Sequence, residues 1–66
     1  MAKPDVLVDD HGTVFMFTPI TRLAHEWVVE HLALDGWQWL GASFAVDHRF
    51  ARPLADGMAA DGLRVA

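Results

Sequence analysis

The chain has 66 residues, no cysteine and a formal net charge of −4, so it forms one domain without disulfides, thiolate zinc sites or cysteine nucleophiles. A pI near 5.3 sets it against direct binding of nucleic acid or anionic lipid, because both affinities grow with the number of basic contacts. Apolar residues make up 53%, and a chain this short buries only about 60% of its unfolded surface, so part of that apolar surface is expected to meet a partner or a second copy.

Val6, Leu7 and Val8 open a β-branched run, and Thr13 to Phe17 form another. Between them Asp9-Asp10-His11-Gly12 reads as a hairpin turn, with Gly12 free to take a positive φ. Strands are expected near 5–9 and 13–18. The second has two apolar faces, Val14 and Met16 on one and Phe15 and Phe17 on the other. Such a strand is either central and covered twice, or meets another chain on its second face.

Thr18 and Pro19 then read as the N-cap and first turn of a helix. Ile20, Leu23, Ala24, Trp27, Val28, His31 and Leu32 recur at the spacing of one helical face, with Arg22, Glu26 and Glu30 opposite them. Asp35-Gly36 is the expected stop. Trp37 to Asp47 reads as one long strand. A bulge or close approach at Gly41 is expected to bring the indoles and the Phe44/Val46 pair towards one core. Phe50, Leu54 and Met58 mark a second helix on its core side. An interior proline costs about 3 kcal/mol, so this helix is expected to begin near Arg52 with Pro53 in its first turn. Asp61-Gly62 ends it, and Leu63-Arg64-Val65 is either a short edge strand or a frayed end. The fold class is therefore α+β: a small antiparallel sheet of about three strands with two helices, in the order ββαβα.

No residue cluster specifies a reaction. His11, His25, His31 and His48 lack the i, i+3 or i, i+4 spacing that places two imidazoles on one metal. Asp9-Asp10-His11 lacks the spacing of a calcium loop and has no nucleophile nearby. Ser43, the only serine, is mid-strand without a nucleophile elbow. The chain is expected to be non-enzymatic, with no cofactor and no metal. No apolar run approaches the roughly 18 to 20 residues that span a bilayer, and the first residues lack the pattern of a secretory signal; the expected location is the cytoplasm.

Charge is unevenly distributed. Asp5, Asp9, Asp10, Glu26, Glu30, Asp35 and Asp47 precede His48 with only Arg22 between Pro4 and that point, whereas Arg49, Arg52 and Arg64 follow. Projected together, Asp9, Asp10, Glu26, Glu30 and Asp35 would form a line of negative charge able to imitate a phosphate backbone and enter a basic groove of another protein. Trp37 beside them supplies an anchor of the kind that protein interfaces favour. The expected partner is a protein with a basic surface; a homodimer that buries surplus apolar surface such as Phe15, Phe17 and Trp37 is the alternative.

Phe17-Thr18-Pro19-Ile20-Thr21, Trp27-Val28 with Glu30-His31, Trp39 with Gly41, Val46 with His48-Arg49, and Asp61-Gly62-Leu63 give the chain a pattern that resembles short bacterial proteins associated with phages and mobile elements. In size and acidity it is similar to the small anti-CRISPR proteins. That resemblance implies an inhibitor whose acidic face blocks the nucleic-acid groove of a host complex, and it transfers no individual functional residue.

Overall fold

A computed structural model describes residues 3–33 and 39–66. Its elements run β1 (Val6–Asp10), β2 (Val14–Pro19), α1 (Arg22–His31), β3 (Trp39–Leu40), β4 (Ser43–Asp47) and α2 (His48–Ala60). The strands form one antiparallel sheet in the order β1-β2-β4-β3. The expected α+β class holds, with one strand more because the run ending at Asp47 folds back on itself.

Both hairpins turn on glycine. Gly12 and Gly41 have φ of +89° and +66°. Each is the first central residue of a two-residue turn, the place where a II′ turn needs a positive φ to match the twist of its strands. Gly41 therefore marks a reversal and not a bulge. Trp39 now faces Phe44 across the β3–β4 pair, and the two rings meet edge to face at 5.2 Å. The second indole expected in this core, Trp37, lies outside the described residues.

Thr18 and Pro19 belong to β2, which continues to a Val6–Pro19 pair, and the N-cap of α1 is Thr21. Its Oγ1 accepts from the Ala24 N–H at 3.2 Å and donates to Asp5 Oδ1 at 2.7 Å. The helix ends at His31, where Leu32 takes an extended conformation; the expected stop at Asp35-Gly36 falls outside the described residues. α2 begins at His48, four residues before the expected start, because Asp47 caps it: Oδ1 accepts from the Arg49 N–H at 2.9 Å. Pro53 is then inside the helix, and its ring leaves the Arg49 carbonyl without a helical donor. Both residues are exposed, so water can serve that carbonyl.

The end of α2 is a Schellman motif. Leu63 N–H donates to the Met58 carbonyl and Gly62 N–H to the Ala59 carbonyl, each at 3.0 Å, with Gly62 at φ +94°. The accompanying apolar contact joins Met58 and Leu63, both buried. Beyond it residues 64–66 lie along the free edge of β1. Arg64 carbonyl accepts from Asp5 and Val6 N–H groups, Ala66 N–H donates to Val6, and Val65 bridges Val6 in parallel.

Strand register sorts the sheet into two faces, since directly paired residues share a side. Val6, Val8, Phe15, Phe17, Trp39, Phe44 and Val46 face the helices and pack with Ala24, Val28, Ala51, Met58 and Leu63. Phe17 and Phe44 stack at 5.7 Å in its centre. Phe50, expected on the core side of the second helix, is instead 62% exposed, beneath the Arg49 guanidinium at 5.8 Å.

Candidate functional site

The other face of the sheet is uncovered among the described residues. Its rows are Leu7, Thr18, Ser43 and Leu40; then Asp9, Met16 and Ala45; then Val14 and Asp47. None of its apolar members belongs to the core cluster, and Leu7 and Leu40 are 41% and 63% exposed. The two hydroxyls in the middle, Thr18 Oγ1 and Ser43 Oγ, hydrogen-bond to each other at 2.5 Å. Part of their polar demand is therefore met within the face, which lowers the desolvation cost of covering it. This is the second apolar face that Val14 and Met16 predict for β2.

The expected acidic residues fall in different layers. Glu26 and Glu30 are exposed and one turn apart on α1. Asp9 and Asp10 are successive residues of β1 and so point to opposite faces. Asp9 joins the uncovered face beside Met16; Asp10 accepts from the Gly12 N–H at 2.8 Å and shapes the hairpin tip. Asp35 and Trp37 lie outside the described residues.

Three other carboxylates have internal duties. Asp5 ties three segments together: Oδ1 takes the Thr21 hydroxyl, Oδ2 takes the Arg64 N–H at 2.8 Å, and its own carbonyl accepts from Ile20 at 2.7 Å. The Arg64 N–H, and then the Thr21 hydroxyl, hold its carboxyl below the usual carboxylate value. Asp47 is likewise lowered, by the Arg49 side chain and then its backbone N–H; the guanidinium sits at 3.1 and 3.3 Å. Asp61 joins the two helices, accepting from Trp27 Nε1 at 2.6 Å. His31 stacks on Trp27 at 4.3 Å, donates from Nδ1 to the Trp27 carbonyl at 2.9 Å, and holds Nε2 3.7 Å from Asp61. Nothing in the spacing of Trp27, His31 and Asp61 announces this cluster, because Asp61 is 34 residues from Trp27.

Among the described residues no group of three His, Asp or Glu side chains stands together as metal ligands. No helix there is long and apolar enough to cross a membrane. No family model, curated protein or solved structure matches the chain.

Proposed function

We propose that this chain is a non-catalytic protein-binding domain, an inhibitor or adaptor that acts by covering a surface of its partner, with the uncovered sheet face as the contact. The observation that carries this reading is the arrangement of Leu7, Met16, Ala45 and Leu40 on a face that no helix covers among the described residues. The occupant is a different protein with an apolar patch and a basic rim. Asp9 lies within this face, and the chain carries a net charge of −4, so a basic rim gains and a second copy is repelled. Area argues the same way. Strands of five, six, two and five residues present a face of about 300 Å², so two such faces stacked would bury about 600 Å², short of the roughly 1,000 Å² of a stable interface. A larger partner that also engages the hairpin edge reaches that area.

Glu26 and Glu30 favour a second reading, imitation of nucleic acid against a basic groove, because both are exposed and have no ion-pair partner among the described residues. One comparison separates the two. The immobilised chain, a Met16→Glu variant and a Glu26→Lys/Glu30→Lys variant are incubated with lysate of the source cells, and the captured proteins are compared. The sheet-face reading expects a protein that the wild type and the double variant retain and that Met16→Glu loses. Loss from the double variant with retention by Met16→Glu overturns it in favour of the acidic helix. Sedimentation of the free chain as a concentration-dependent dimer, abolished by Met16→Glu, would identify a second copy as the occupant.

A further inference from the structure

On the helix-covered side of the sheet a groove of about 330 Å³ opens between the first hairpin and α2. Its floor is Val8, Phe15 and Phe17, and its wall is Ala51 and Ala55, one helical turn apart and small enough to leave the space unfilled. His48 and Arg52, also one turn apart, form the lip. The two basic side chains have no hydrogen-bond or ion-pair partner among the described residues. Asp56, a turn beyond Arg52, makes no ion pair with it; Asp10, on the same face of the sheet, is engaged by the Gly12 N–H. The lip thus sets one guanidinium, that of Arg52, without an ion-pair partner among the described residues beside an apolar slot.

We infer that this groove binds a small amphipathic carboxylate, with the apolar body against Phe15 and Val8 and the carboxylate at Arg52 and His48. Several features fit that chemistry. The volume lies at the lower end of the roughly 300 to 1,000 Å³ of ligand pockets. The interior offers no polar side chain to a ligand's body, so a fully polar anion would lose hydration there without recompense. A neutral hydrocarbon would leave the guanidinium unused, whereas a carboxylate accepts from it in a charge-assisted pair. The site is on the opposite side of the sheet from the proposed contact face, and it stands or falls independently of that reading.

The test is a titration of the intact chain with octanoate, and separately with octan-1-ol, followed by amide chemical shifts. Saturable octanoate binding is expected, with shifts centred on Ala51, Arg52 and Ala55 and affinity at least about tenfold above that for the alcohol, as loss of one charge-assisted hydrogen bond implies. Arg52→Gln, an exposed change that leaves the fold intact, is expected to weaken octanoate by about tenfold. Ala55→Met, which fills the slot and suits a helix, is expected to remove binding with the far-ultraviolet spectrum unchanged. Absence of saturable shifts, equal affinity for acid and alcohol, or undiminished affinity in Arg52→Gln would each overturn the inference.

Discussion

Replacing Gly57 and Gly62 by alanine, one at a time, perturbs two glycines at the same end of α2 whose backbones differ. Gly57 has helical neighbours on both sides, and a methyl group there meets only the Trp27 ring, at the ordinary contact distance of 4.0 Å. Alanine at that site removes conformational freedom from the unfolded chain without introducing a clash, a gain of about 0.5–1 kcal/mol. Gly62 sits at φ +94° with open space around it, so its cost on substitution comes from the backbone alone. An L-residue forced into the left-handed region loses about 1–2 kcal/mol, and relaxing that strain would disturb the two hydrogen bonds of the Schellman motif. In a domain of this length 1 kcal/mol moves the melting temperature by about 4–8 °C. Gly57→Ala should therefore raise Tm by about 2–8 °C and Gly62→Ala lower it by about 4–16 °C, read by circular dichroism melts at one protein concentration. A Gly62→Ala Tm equal to wild type would refute the assignment of this helix end, and a destabilised Gly57→Ala would refute the contact with Trp27.

Phe44→Ala should cost about 3–5 kcal/mol because it removes a fully buried ring that contacts both Phe17 and Trp39; against a total of about 3–10 kcal/mol for a chain of this size, urea titration should find most molecules at or beyond their midpoint in mild denaturant. Asp5 and Asp47 have folded pKa values below the ordinary 3.8, so the stability they contribute is complete above that value and is lost as pH falls through the lowered folded values. Melting temperature should fall with acid below about pH 4, and Asp5→Asn with Asp47→Asn should flatten that branch; an unchanged branch in the double variant would assign acid sensitivity to other carboxylates.

Where a local pattern carried its own physical cause, the structure follows it. Two β-branched runs around Asp-Gly-rich residues make the first hairpin, the 3.6-residue spacing makes α1, and Asp61-Gly62 stops α2. Boundaries shifted where two local solutions were equally good and a distant residue chose between them. Thr18 and Thr21 are both competent caps, and Asp5, sixteen residues back in the chain, takes the Thr21 hydroxyl and leaves Thr18 to the sheet. A bulge and a turn at Gly41 give similar apolar patterns; a turn puts Trp39 beside Phe44 over the core. Pro53 argued for a late start to α2, yet the helix starts at the Asp47 cap and carries Ala51 into the core, with the one carbonyl that Pro53 leaves open exposed to water.

The same division runs through the candidate site. Alternation in Val14-Phe15-Met16-Phe17 already implied two apolar faces, because side chains of a strand alternate with period two. Which of them the helices would cover was decided by the chain's return path, since α1 and α2 both pack against Phe17 and Phe44 and leave Met16 and Ala45 outside the core. Charge counting likewise found the carboxylates but not their duties. Asp5 and Asp61 are bound to residues 59 and 34 positions away, contacts that no spacing along the chain encodes. Composition and period thus settled the two helices, the first hairpin and the two apolar sides of β2, which are local properties; which apolar residues are buried, with Ile20, Leu23 and Phe50 left exposed, and whether each carboxylate serves as clasp or meets solvent are properties of long-range packing.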